Sequence, residues 1–270
     1  MPDSQTDVVR AEYATSDSLR VRLDTHRLHS ETPDDLHARC RRLLQLCGRE
    51  SILDVGPGPG EFQADLLASG HRGQMVGLDL SKGMAHEAST RVPTARWGVA
   101  DAQALPLKNA SFDHAVARHM LYHVPDIPSA LRELKRVLRP RGRAVVTTNG
   151  AESLPSLRAL RRRASEAFGL PAPPSDAGGA FSSKNASRLL RGVFDRVEGI
   201  TVENALTFTE AAPAVRYVES TFTLGGVAAD RDLRDALRSW LMAAVTTGIK
   251  AGRGVFRDPK YVAFYVAELE

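Results

Sequence analysis

The sequence predicts an α/β fold: seven strands in a mostly parallel sheet, helices on both faces, and an added helical lid. Three observations carry that prediction. Short β-branched apolar runs alternate with helical patterns from residue 51 to 148, which is how a parallel sheet with right-handed crossovers reads. A glycine-rich turn, Gly56-Pro57-Gly58-Pro59-Gly60, follows the first strand. Carboxylates then follow the next two strands, at Asp79 and Asp101, where open α/β sheets bind ligands.

Residues 1–31 contain no clear strand. Val21 and Leu23 alternate with Arg20, Arg22 and Asp24, giving a short helix or extended arm, either a surface segment or a cover over a pocket. Thr32-Pro33-Asp34-Asp35 reads as a helix start with Thr32 as N-cap. Leu36, Cys40, Leu43, Leu44 and Cys47 follow on one apolar face, closed by Gly48. The first strand ends at the glycine turn, and a helix through Phe62, Leu66 and Leu67 stops at Gly70. Strands are then expected at 74–80, 95–99, 112–120 and 144–148. Ser81 caps the helix after the second, and a helix over 127–138, stopped by Pro140, precedes the last.

The pattern changes after Gly150. A basic helix over 154–168 leads into a Pro/Gly-rich stretch, 171–179, that reads as a mobile loop. A short helix within 181–194 and a strand over 196–208 follow. Leu233, Leu237, Trp240, Leu241, Val245 and Ile249 mark a longer amphipathic helix. Residues 255–266, interrupted at Asp258-Pro259, read as a hairpin whose aromatic strand adds antiparallel to the sheet. The expected division is an arm (1–31), a ligand-binding core (32–150), a lid with one core strand (151–250) and a closing strand (251–270).

At 270 residues the chain suffices for one sizeable domain with an appendage, and 43% hydrophobic with 25% charged residues is ordinary for a globular protein. No apolar run approaches the ~20 residues of a membrane span. The polar, acidic start is not a secretory signal, which points to the cytoplasm. Thirty-six basic residues face 32 acidic ones, for a net charge of +4. The arginine clusters at 39–42, 139–143 and 158–163 therefore read as solvated faces rather than a nucleic-acid surface. Cys40 and Cys47, about 10 Å apart along one helix, are beyond disulfide reach and read as reduced and buried. Neither their number nor their spacing gives a metal site.

The chemistry gathers at successive strand ends. Glu61 stands where a dinucleotide fingerprint wants glycine, and Asp54, two residues before the first glycine, opposes a pyrophosphate but suits a cationic ligand. Asp79 is placed to accept from ribose hydroxyls. Asp101-Ala102-Gln103 offers acceptors to an adenine amino group. Arg118-His119-Met120-Leu121-Tyr122-His123 brings two histidines four apart, both facing a pocket if the stretch turns helical, with no third group spaced to hold a metal.

In this order, Leu-Asp-Val-Gly-x-Gly-x-Gly, Gly-Leu-Asp-x-Ser, Asp-Ala-Gln-x-Leu-Pro, Ser-Phe-Asp and Val-Leu-Arg-Pro-x-Gly closely resemble the class I S-adenosylmethionine-dependent methyltransferases. Among these the chain looks like the small-molecule branch that includes the ubiquinone/menaquinone-biosynthesis type. The resemblance is strong over residues 36–149 and implies a Rossmann-like sheet. It also implies S-adenosylmethionine as cofactor, S-adenosylhomocysteine as product and a small metabolite as methyl acceptor. Residue by residue, it implies that Asp54, Gly56, Gly58 and Gly60 surround the methionine moiety and that Asp79 binds the ribose. Asp101 and Ala102 would bind the adenine and Arg118 and His119 would line the cofactor near the substrate, with Leu80, Met84 and Gln103 completing the cofactor-binding set. The general-base candidates are His123 first and His119 second, with Tyr122 and the arm residues Tyr13, His26 and His29 behind them. Tyr13, His26, Tyr122 and Tyr217 are the candidate acceptor contacts, and Phe181, Phe194, Phe222 and Trp240 either join them or form the lid's own core. RNA as the methyl acceptor, a non-catalytic cofactor-binding module and a nicotinamide oxidoreductase are the competing readings; Asp54 and Glu61 disfavour the last.

Overall fold

The computed structural model describes residues 5–33, 35–170, 180–222 and 231–270. Its centre is one seven-stranded sheet: β1 (Ile52–Val55), β2 (Met75–Asp79), β3 (Arg96–Val99), β4 (Phe112–Arg118), β5 (Leu138–Asn149), β6 (Arg196–Phe208) and β7 (Phe256–Glu268). The strand order is β3-β2-β1-β4-β5-β7-β6. The first five strands are parallel, and β7 runs antiparallel between β5 and β6. Winding reverses between β1 and β4, the switch point where a crevice opens above the strand ends. The predicted mostly parallel α/β sheet is therefore present.

Two helices, α1 (Gln5–Glu12) and α2 (Asp17–His29), precede the sheet. α3 (Leu36–Leu44), α4 (Glu61–Ala68) and α5 (Lys82–Arg91) cover one face, where Cys40, Leu44, Phe62, Leu66 and Val92 pack on Ile52, Val116 and Phe264. α6 (Ile127–Val137) and, beyond α7 (Pro155–Phe168), the short α8 (Ala186–Arg191) cover the other. α7 joins α9 (Ala211–Glu219) and α10 (Arg231–Ala251) in a separate apolar cluster that borrows Leu206 and Phe208 from β6. Because every β1 side chain is buried, the strand that delivers the glycine turn is fixed from both faces.

Several boundaries depart from the sequence expectation. α3 is capped by Asp35, whose carboxylate accepts from the Ala38 N–H at 2.8 Å. Thr32 is held elsewhere, exchanging backbone hydrogen bonds with the Asn204 amide on β6. The helix ends at Gln45, which adopts φ 55°, because Glu50 collects the N–H groups of Cys47, Gly48 and Arg49 into a turn. Cys47 is therefore off the helix and exposed, while Cys40 is buried; both are free thiols. β5 starts at Leu138, immediately after α6, with Pro140 inside it and a register irregularity opposite 112–114.

β7 is one continuous strand rather than a hairpin, and its partner β6 lies two helices earlier in the chain. Pro259 is tolerated because β5 ends at Asn149, opposite Val262. Its carbonyl points away from β6 and accepts from Leu154 N–H, so its missing N–H faces no strand. α9 had no counterpart in the sequence reading. The stretch 171–179, read as a mobile loop, lies outside the described residues. Among the described residues no helix is long and apolar enough to cross a membrane.

Candidate active site

The turn after β1 has φ 67°, 59° and 79° at Gly56, Gly58 and Gly60, in the left-handed region where a Cβ is penalised. At Gly56 a Cβ would also meet the Met120 side chain at 2.8 Å. At Gly60 it would meet Ala88 and Trp97, so this glycine serves helix packing and does not line the crevice. The three glycine N–H groups are all spent inside the fold. Gly56 donates to Leu78 O, Gly58 to Asp79 Oδ2 at 3.0 Å, and Gly60 to Pro57 O. Pro57 and Pro59 have none to offer. A loop that cradles phosphates needs free N–H groups, and these glycines and prolines supply none.

Above the strand ends lies a cavity of about 490 Å³, within the usual range for small-molecule sites. Gly56, Gly58, Asp79, Leu80, Met84, Asp101, Ala102, Gln103, Arg118 and His119 all line it. Asp79 accepts from the N–H groups of Gly58 and Ser81, and burial pushes its carboxyl above the ordinary range. Ser81 caps α5 by accepting from Met84 N–H, as the sequence suggested. Asp101 and the Gln103 amide hold each other at 2.9 Å. This end of the cavity is thus rich in acceptors, which fits a ligand bearing hydroxyl, amino and sulfonium groups better than one bearing phosphates.

Asp54 does not reach the cavity wall. Its carboxylate is fully buried, accepting from Gln63 Nε2 at 2.9 Å and from Arg118 Nη2 at 3.3 Å. Burial raises its pKa to about 6 against the pull of Arg118. The residue that meets the cavity in its place is Arg118, with the Phe62 ring 4.5 Å from its guanidinium. Direct contact of Asp54 with a cationic ligand is therefore replaced by an ion pair behind the wall.

The other end of the cavity is closed by α1, α2, α7 and α9, and Tyr13, His26, Tyr122, His123 and Tyr217 line it with His119. Tyr13, from the α1–α2 connection, puts its hydroxyl 3.0 Å from His123 Nε2, while Ser81 Oγ donates to the Tyr13 carbonyl. The arm is thereby joined to the N-terminus of α5 and to the turn Leu121–His123. Burial drives the imidazole pKa values down, to about 4 for His119 and His123 and about 3 for His26, so all three are neutral at pH 7. Burial also lifts Tyr13 to about 12. His119 adopts φ 52°, and its N–H donates to Thr147 O. His29 lies against Phe208 and is not on the cavity wall.

Of the lid aromatics, only Tyr217 faces the cavity. Phe181 and Phe194 are buried in the core beneath α8, while Phe222 and Trp240 belong to the α7–α9–α10 cluster. The cavity wall also includes Glu12, Arg22, Arg158, Arg161 and Lys260, none of them singled out from the sequence. Arg158 and Arg161 lie within a run read as a solvated face. Their spacing beside Leu157 and Leu160 was the signal that they border the apolar face of α7. Among the described residues no cluster of metal-ligating groups is present.

Residues 53–146 match the protein family described as "Methyltransferase domain". The chain is 35% identical over 131 residues to a malonyl-[acyl-carrier protein] O-methyltransferase of Pseudescherichia vulneris, covering 46% of this chain and 51% of the relative. It is 35% identical over 121 residues to a 2-phytyl-1,4-naphtoquinone methyltransferase of Synechococcus elongatus, covering 42% and 52%. The chain spans about half or less of the length of these and the other leading curated relatives. Among solved structures it superposes, at TM-score 0.61 and 15% identity, on a Haemonchus contortus phosphoethanolamine N-methyltransferase in complex with phosphomonomethylethanolamine and S-adenosylhomocysteine. That match covers 99% of this chain and 61% of the other, and establishes shared fold alone.

Proposed function

Given that the chain carries a class I S-adenosylmethionine-dependent methyltransferase domain, we propose that the protein methylates a small molecule held between the strand ends and the N-terminal arm. One observation carries the reading. A single cavity joins an acceptor-rich wall at the glycine turn, where no glycine N–H is free for phosphate, to a chamber of neutral histidines and tyrosines. A nicotinamide dinucleotide would place its pyrophosphate against that spent turn, which argues for the sulfonium cofactor instead.

In this proposal Asp79 accepts from the ribose hydroxyls, and Asp101, Ala102 and Gln103, with Leu80 and Met84, receive the adenine. Gly56 and Gly58 let the backbone come close to the methionine moiety. Arg118, held by Asp54, faces its carboxylate. When bound, the cofactor supplies a methyl group already activated by the sulfonium, with a neutral thioether as leaving group. The chain's own task is then to align the acceptor and keep water out. α1 and α2 do the second, since they close the cavity over Tyr13 and Tyr122.

His123 and His119 are the base candidates, with Tyr13 and Tyr122 beside them. With Nε2 of His123 unprotonated, the Tyr13 hydroxyl donates to it, and an acceptor hydroxyl taking the place of Tyr13 would donate to the same nitrogen. The fold supports the division into arm, core, lid and closing strand as part of this reading. A cytoplasmic enzyme working on a metabolite, without nucleic acid, is its cellular form. Calorimetry tests the cofactor: micromolar binding of S-adenosylhomocysteine and none of NAD is expected, and the reverse overturns the proposal. Incubation with a metabolite library should reveal an acceptor that gains about 14 mass units per methyl transferred.

A further inference from the structure

Arg118 is the last residue of β4, with 16% of its side chain exposed and its place on the cavity wall. Asp54 stands behind it, fully buried and off the wall. An arginine and a carboxylate this close commonly pair fork to fork, two nitrogens against two oxygens. These two do not. Only Nη2 donates, at 3.3 Å, and only to Oδ2. Asp54 Oδ1 and Arg118 Nε are buried without hydrogen-bond partners.

The difference lies in Gln63. This buried α4 side chain donates from Nε2 to the same Oδ2 at 2.9 Å, the shorter of the two bonds. Turning both carboxylate oxygens towards the guanidinium would cost that bond. Phe62, the preceding residue on α4, is fully buried, and its ring lies 4.5 Å from the guanidinium. His37 packs on that ring from α3, with centroids 5.6 Å apart. Arg118 is thus held end-on by one carboxylate oxygen and against one aromatic ring. Its Nη1 bonds to none of the described residues and is the donor left for the cavity. Packing alone does not account for Gln63. Its Oε1 is buried and unpaired, a cost that a leucine or methionine in the same space would avoid.

We propose that Gln63 is a positioning residue for Arg118. By occupying Asp54 Oδ2 it keeps the ion pair end-on and leaves Nη1 to grip the carboxylate of the cofactor's amino-acid tail. A fork-to-fork pair would spend the guanidinium on Asp54 and draw it back from the wall. The site thereby selects a nucleoside thioether that carries the tail carboxylate over one that lacks it. The inference rests on the methyltransferase reading for the identity of that ligand.

The test compares S-adenosylhomocysteine with its decarboxylated analogue, which keeps the thioether and the amine and lacks only the carboxylate. Calorimetry on the whole 270-residue protein reads both affinities. Wild type should bind S-adenosylhomocysteine at least about tenfold tighter than the analogue. Gln63→Met keeps the length and loses the amide. There the preference should shrink to about threefold or less, because S-adenosylhomocysteine weakens while the analogue does not. Gln63→Asn, whose shorter side chain withdraws the amide from Asp54, gives the same readout if the methionine variant does not fold. A merely structural glutamine would weaken both ligands alike or neither. Equal loss of both, an unchanged preference in a folded variant, or a wild type that does not discriminate overturns the proposal. If wild type binds neither ligand, the methyltransferase reading falls and this inference falls with it.

Discussion

Replacing Asp79 with alanine separates the cofactor assignment from a purely structural role. In the folded protein its carboxylate accepts from Gly58 N–H at 3.0 Å and Ser81 N–H at 2.9 Å, and burial holds its pKa above the ordinary range. Removing it strands two backbone donors, at about 1–3 kcal/mol each where buried. On the proposed assignment it also removes the acceptor of two ribose hydroxyls. Hydrogen bonds to a charged group are worth about 1.5–3 kcal/mol each, so S-adenosylhomocysteine affinity should fall by roughly 10²- to 10⁴-fold. Asp79→Asn keeps one acceptor oxygen and the side-chain shape, and should lie between wild type and alanine. Calorimetry reads the affinity, and thermal melting confirms that each variant is folded. A folded Asp79→Ala protein that binds S-adenosylhomocysteine as tightly as wild type would refute the ribose assignment.

Three further outcomes follow from the same geometry. Gly56→Ala places a methyl group 2.8 Å from Met120 at φ 67°. It should lower stability by about 2–4 kcal/mol in a denaturant titration, from left-handed strain plus overpacking; a loss below 0.5 kcal/mol would contradict both terms. Gly83→Ala drives a Cβ to within 2.0 Å of the Ala14 carbonyl, so the arm should lift from α5 and limited proteolysis should cut near it far faster than in wild type. Equal cleavage would show that the arm does not depend on this contact. Acid should destabilise the fold. His26, His37, His119 and His123 are held by burial at about 3 or about 4, below the ordinary ~6.5, so unfolding takes up protons as pH falls through that window. Their stabilisation is complete above pH ~6.5 and declines by about 1.4 kcal/mol per pH unit for each histidine below it. Asp54, raised to about 6, acts in the opposite sense and offsets about one of the four. Denaturation midpoints that stay level from pH 7.5 to 5 would contradict the buried neutral histidines.

What the sequence made legible is what local chemistry controls. The glycine turn, the carboxylate that ends β2 and the Ser81 cap are set by backbone conformation within a few residues, and each is found where pattern alone puts it. The strand alternation likewise fixes the parallel half of the sheet. Departures begin where a distant partner overrules a local preference. Asn204 draws Thr32 away from capping α3, and Glu50 ends that helix early. Pro259 sits in a strand because β5 stops short of it. The role of Asp54 was illegible for the same reason. A carboxylate beside a glycine turn reads as a ligand contact, and only the placement of Gln63 and Arg118 turns it into a support behind the wall. The cationic end of the cavity is the extreme case. Arg22, Arg158 and Lys260 come from α2, α7 and β7, more than 230 positions apart at the extremes, and each taken singly reads as a surface charge. Their convergence depends on the antiparallel insertion of β7 and on the arm folding back against α5, α9 and β6, neither of which has a local signature. In this fold the end of the cavity at the glycine turn is therefore written in contiguous motifs and the other end in tertiary contacts. That division is why the sequence pointed to a reaction class and stayed silent on what the far end of the cavity would hold.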